Sequence, residues 1–182
     1  MRDLLAQAAQ VLQGQKEDML LCLTVSVRAP ESLAACARLF REESLCVLAP
    51  PERSQTFSCL GFGEVRRLVG RGSAALVQVK EAATPILKEL RELRAVGCDH
   101  APAPRLFGGF RFFPDHAACA ATDPWNSFPD ACFVLPRWTL FFRREEGFLQ
   151  LVVEPADLDK LDGLAEQFDA IKTAATTPYC AG

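Results

Sequence analysis

The residues able to do chemistry in this 182-residue chain are eight cysteines, two histidines and a few paired acids. The cysteines are Cys22, Cys36, Cys46, Cys59, Cys98, Cys119, Cys132 and Cys180, no two closer than ten residues. That spacing excludes the C-x-x-C pattern of zinc sites and thioredoxin-like redox motifs. Asp3 and Gln7 stand where a secretory signal needs an unbroken apolar run, so a cytoplasmic protein with reduced thiols is expected. Such thiols serve as small buried hydrophobes. His100 and His116 have no Cys or His beside them, and no Ser-His-Asp or Cys-His arrangement can be built on them. Glu42-Glu43 and Glu145-Glu146 adjoin arginines and read as solvated turns. Gly61-Phe62-Gly63 and Gly70-Arg71-Gly72 lack the context of a phosphate-binding loop. No catalytic, cofactor-binding or metal-ligating residue is assigned on this basis.

Composition narrows the classes further. With 49% hydrophobic residues the chain can bury a core. A net charge of −3 gives no general attraction to nucleic acid or to an anionic membrane. No run of eighteen apolar residues is present, so no membrane-spanning helix is expected. Arg105–Phe112 has the aromatic flavour of an RNA-recognition strand. It carries Leu106 where that motif needs glycine, however, and Gly109 where it needs an aromatic.

The elements that must position these residues follow from periodicity. Residues 2–13 place Leu4, Leu5, Ala8, Val11 and Leu12 on one helical face. Residues 18–28 alternate, with Leu21, Leu23, Val25 and Val27 opposite Cys22, Thr24, Ser26 and Arg28, which predicts a half-buried strand. A short helix is expected over Leu33–Phe40, and strands over Leu45–Ala49, Gln55–Phe62 and Glu64–Val69. Residues 73–96 predict the longest helix, its stripe running from Leu76 to Leu93 and Pro85 kinking or restarting it. Phe107–Phe113 reads as a strand interrupted by Gly108-Gly109, and Cys132–Phe142 as a strand broken by Pro136. A hairpin follows over residues 138–153, with Gly147 supplying a positive φ at its turn. Residues 155–175 predict a last helix. The whole is expected to be one α+β domain spanning residues 1–182. Its sheet is mainly antiparallel, with helices packed on one face.

Several of these stretches resemble a known pattern. Phe107-Gly108-Gly109-Phe110, then Trp125-Asn126-Ser127-Phe128-Pro129, then Phe133-Val134-Leu135-Pro136-Arg137 are similar to isochorismate synthases of the menaquinone and siderophore pathways. These belong to the chorismate-utilising enzymes, together with anthranilate synthase component I and salicylate synthase. Upstream, Phe57–Glu64 resembles the glycine-containing strand of that family. The resemblance covers most of residues 20–175.

The resemblance implies isomerisation of chorismate to isochorismate. In the family a lysine activates water, a glutamic acid protonates the departing hydroxyl, and glutamates hold Mg²⁺ against the substrate carboxylate. Those residues lie in the family's C-terminal half, in motifs such as Lys-Val-Val-Leu-Ala-Arg. No such motif occurs here, so no catalytic, cofactor or metal residue is carried onto any position. The chain is therefore expected to be the N-terminal half of an isochorismate synthase, the catalytic half being absent. Mg²⁺ ligands and chorismate contacts would lie outside it, and association with a separate C-terminal half is implied. An uncovered apolar sheet face is expected as a consequence. The other reading is a non-catalytic ligand-binding or regulatory module like the effector region of anthranilate synthases. The Leu-Leu-Glu-Ser-like strand of that region is not seen.

Overall fold

The computed structural model describes residues 1–30, 37, 45–50, 56–111 and 128–176. Apart from residue 37, the helix expected over Leu33–Phe40 lies outside the described residues, as do the strand positions 112–113 and the Trp125–Ser127 segment. Helix α1 (Arg2–Leu12) opens the chain, followed by strands β1 (Leu21–Arg28), β2 (Leu45–Leu48), β3 (Ser58–Phe62) and β4 (Arg66–Gly70). Helix α2 (Ala75–Glu89) leads to β5 (Arg91–Arg94), β6 (Phe107–Phe110), β7 (Ala131–Leu135), β8 (Trp138–Arg143) and β9 (Glu146–Val153). A 3-10 helix (Pro155–Lys160) then runs into α3 (Leu161–Thr176).

The strands form two sheets. The larger has the order β2-β3-β8-β9-β1-β5, and the smaller the order β4-β7-β6. Every pairing is antiparallel except β1 with β5. The architecture is the expected α+β one. Helices α1 and α3 cover one face of the larger sheet. There Leu5, Ala8, Leu12, Phe168 and Ile171 pack with Leu23, Leu60, Leu140, Leu149 and Leu151. Full burial of each such leucine, isoleucine or phenylalanine stabilises by about 1.5–3 kcal/mol. Trp138 is 2% exposed, stacks on Phe62 at 6.4 Å between ring centroids, and donates its indole N–H to Gln167.

The opposite face of the larger sheet is covered too. Cys22 and Val152 meet Leu135 of the smaller sheet, with Ile86 and Leu90 from the end of α2 beside them. Strand β1 is therefore buried on both faces over Leu21–Val25, where alternation alone indicated a half-buried strand. Alternation reports side-chain polarity, and Cys22 and Thr24 are small enough to be buried on the second face. Away from the β2 edge the larger sheet shows no uncovered face among the described residues, whereas the smaller sheet stays half-buried or exposed over much of β6 and β7. Large exposed apolar side chains sit instead at the β2 edge (Val47, Leu48), on α2 (Leu76, Val77, Leu87), and at Val69, Val96 and Phe110.

Three local expectations change. The long helix ends at Glu89, and Arg91–Arg94 is an edge strand parallel to β1. Its charged Arg91, Glu92 and Arg94 look like the wet face of a helix when read at helical spacing. Pro85 lies inside α2 without ending it. Residues 131–143 are two strands in different sheets, with Pro136-Arg137 as the crossing. In the hairpin the register pairs Arg143 with Glu146, leaving a two-residue turn in which Arg144 carries the positive φ of 56°. Gly147 has another duty. A Cβ there would stand 2.9 Å from the Val27 carbonyl oxygen, so its bareness lets β1 close on β9.

The paired glycines of β6 differ in the same way. A Cβ on Gly108 would lie 2.0 Å from the Cys132 carbonyl oxygen and 2.6 Å from Phe133 Cα, whereas one on Gly109 would meet nothing within 4 Å. Gly108→Ala should therefore lower stability by about 1–3 kcal/mol through overpacking against β7. Gly109→Ala should stay within about 0.5 kcal/mol of the parent. Urea unfolding midpoints of the two variants measure this, and equal midpoints would refute the close-approach reading.

Candidate functional site: the groove between the two sheets

The sheets touch where Gly61 of β3 faces the small sheet. A Cβ on Gly61 would come 2.8 Å from Pro136 Cγ and 3.4 Å from the Phe107 ring. Beside this contact the sheets part into an apolar groove of about 520 Å³. One wall is the β2 edge, with Cys46, Val47 and Leu48; the other is the β6–β7 surface with Phe107, Gly109, Cys132 and Val134. Phe128 and Phe133 also line it. Residues from Phe107–Phe110, from the segment ending at Phe128-Pro129 and from Phe133–Arg137 thus converge on one place, and Phe57–Glu64 lies against it through Cys59 and Gly61.

A loop after β5 covers the adjoining face of the larger sheet. Arg94 holds it by donating to the carbonyls of Cys98, Asp99 and Ala101, while Glu92 pairs with the same guanidinium at 2.7 Å. Gln150 donates to the Pro102 carbonyl from below. Under the loop Cys98 and Ala101 pack with Cys59, Phe141 and Phe148. Arg105 lies over the Phe141 ring at 4.9 Å, and Arg143 over Phe57 at 4.4 Å. His100 sits edge-on to Phe148 and 2.5 Å from Glu146, whose carboxyl is held below the ordinary range first by that hydrogen bond and then by Arg143.

The thiols behave as the sequence suggests. Burial pushes Cys22 up to about 12 and also raises Cys59 and Cys98. None of these three offers a ready thiolate. Cys36, Cys119, Cys180, His116 and Glu42-Glu43 lie outside the described residues.

One charged cluster escaped the sequence reading. Arg66 bonds Glu154 at 2.7 Å, Arg137 approaches the same carboxylate at 3.6 Å, and Arg137 also bonds Asp157 and the Val152 carbonyl. Asp157 is 5% exposed and accepts from the Glu154 N–H as well. The four residues are spread from position 66 to position 157, so no local spacing signals them. Two guanidinium groups meet two carboxylates, and the set is internally neutral. It ties the sheet crossing at Arg137 to the 3-10 helix after β9.

The Mg²⁺ that the resemblance implies does not fit the described residues. No three His, Cys, Asp or Glu side chains among them are grouped to hold a metal. Glu154 and Asp157 are already engaged by arginines.

The family model described as chorismate binding enzyme matches residues 4–179. The chain belongs to this chorismate-binding enzyme family. No curated protein matches it. Among solved structures it is similar to MenF, the menaquinone-specific isochorismate synthase from Escherichia coli, at 12% identity and a TM-score of 0.48. That match covers 98% of this chain and 34% of MenF, so the chain spans about a third of the length of that protein.

Arg137→Met should cost about 3 kcal/mol, because it leaves the Asp157 carboxylate buried without its cationic partner. Chemical denaturation measures the loss, and a change under about 0.5 kcal/mol would show the cluster to be incidental. The Glu146 carboxyl predicts an acid dependence. Its folded value is depressed, so its contribution is present above the unfolded value of about 4.3 and is lost as pH falls through the folded value. Glu146→Gln should flatten the stability profile in that acid window, and identical slopes for variant and parent would remove the pairing from the account.

Proposed function

We propose that this family member is the N-terminal, non-catalytic portion of an isochorismate synthase, the enzyme that isomerises chorismate to isochorismate. The observation that carries this reading is the family match over residues 4–179, joined to the motif pieces similar to isochorismate synthases. In this reading the lysine, the acids and the Mg²⁺ ligands come from another segment, and the present chain builds the scaffold against which that segment folds. The charged clusters support such a division. Arg66, Arg137, Glu154 and Asp157 neutralise one another, as do Arg94 and Glu92. These groups hold strands and loops in place, which is the work of a scaffold.

The second reading, a non-catalytic ligand-binding module, is favoured by the groove. Its walls are aliphatic, aromatic and thiol side chains. Chorismate carries two carboxylates, and burying them among such walls without cationic partners would cost several kcal/mol. A module using this groove would take an apolar molecule.

The discriminating experiment supplies the purified chain with chorismate and Mg²⁺, alone and after co-expression with a segment bearing a Lys-Val-Val-Leu-Ala-Arg motif from the same genome. Products are separated by liquid chromatography. The expected result is no turnover by the chain alone and isochorismate from the pair. Turnover by the chain alone would overturn the proposal. Failure of every such segment to restore activity would turn attention to the binding-module reading.

A further inference from the structure

Five thiols belong to the described residues, and three of them, Cys22, Cys59 and Cys98, are buried. Cys46 and Cys132 are the two that solvent reaches in part. Both line the same groove, and they come from different sheets. Their orientation follows from register. Cys46 pairs with Gly61, so it shares the face on which Gly61 meets Pro136 and Phe107. Cys132 pairs with Gly109, and Phe107 pairs with Val134, so Cys132 shares the face on which Phe107 packs with Cys46 and Cys59. The two faces are the ones turned toward each other.

We propose that Cys46 and Cys132 form a disulfide under a peroxide oxidant, linking the β2 edge of the larger sheet to β7 across the groove. One thiolate displaces hydroxide from the peroxide and becomes a sulfenic acid. The second thiolate attacks that sulfur and expels its oxygen as hydroxide. Two thiols and one hydrogen peroxide thus give one disulfide and two waters. Both cysteines sit near strand ends, β2 is an edge strand held on one side only, and a disulfide needs the two Cα atoms within about 4.4–6.8 Å of each other. The bond would narrow the groove and fix the sheet-to-sheet opening in the oxidised protein. Burial, with the neighbouring Cys132 adding to it, pushes the Cys46 thiol above its ordinary value, so formation should quicken as pH rises. This inference stands apart from the chorismate reading and survives its failure.

The test uses the intact chain. It is treated with hydrogen peroxide, residual thiols are alkylated without reduction, and the digest is mapped by mass spectrometry. The expected result is a peptide pair joined through Cys46 and Cys132, two hydrogens lighter than its reduced form and abolished by a reductant. Cys46→Ser and Cys132→Ser should each remove the linked pair, and Cys59→Ser should leave it. Recovery of Cys46 and Cys132 separately alkylated after oxidation would overturn the proposal, as would linkage of either to Cys36, Cys119 or Cys180. Because the wild-type map decides the matter by itself, a poorly folding variant does not blunt it.

Discussion

The structure depends on the place where the chain leaves the small sheet and enters the large one. Leu135 ends β7, Trp138 begins β8, and Pro136-Arg137 is all that lies between. Proline cannot donate to a ladder, which suits a point where pairing must stop and restart in another sheet. Arg137 then fixes the angle. Its carbonyl accepts from Val152 N–H, its guanidinium donates to the Val152 carbonyl, and the same group holds Asp157. The Val65 N–H bonds the Leu135 carbonyl on the other side of the crossing, and Arg66 next to it reaches Glu154. Both sheets and the 3-10 helix are thereby held by one charge-balanced knot. A low-dielectric setting makes such a knot unforgiving, since losing one member leaves another buried and unpaired.

Close approach of backbones is the second constraint, and glycine supplies it at particular points. Gly61 admits the Pro136 ring, Gly108 admits the β7 backbone, and Gly147 admits β1 against β9. Gly61 sets how near the two sheets come, and Gly108 and Gly147 set how near paired strands come within each sheet. The groove exists because the layers touch at Gly61 and separate beyond it. The lining is apolar for the same reason the sheet faces are: it is the unfilled continuation of an interior, open at the β2 edge.

Periodicity recovered most of the elements, and the errors share a cause. Helix α1, the β8–β9 hairpin and the last helix were legible because their apolar positions recur over two or more turns or over a full strand. Residues 91–94 were not. Four residues with three charges carry no strand signature, and their pairing with β1 is a long-range event that Arg91 N–H begins by bonding Leu20 O. The same holds for the two-sheet division of residues 131–143, since a break at proline reads alike whether the strand resumes in the same sheet or another. At the groove, the aromatic and glycine stretches could be recognised one by one. Their convergence could not, because it depends on the chain crossing between sheets after β7. The ion-pair knot was invisible for the simplest reason. Arg66, Arg137, Glu154 and Asp157 are ordinary surface residue types scattered along the chain, and only the fold brings them together.

The distribution of charge shows what several arginines of the described residues are engaged in. A dicarboxylate held out of water needs cations aimed at it. Arg66 and Arg137 are bound to Glu154 and Asp157, Arg67 to Glu64, Arg94 to Glu92 and to three carbonyls, and Arg143 to Glu146. Redirecting any of them to a substrate would first break an interaction that positions a strand or a loop. The cost falls most heavily on Arg137, whose partner Asp157 has almost no access to water. If the chain is the scaffold proposed for it, the cations for a dicarboxylate come from groups not already holding a strand or a loop in place. These arginines serve the shape of the molecule.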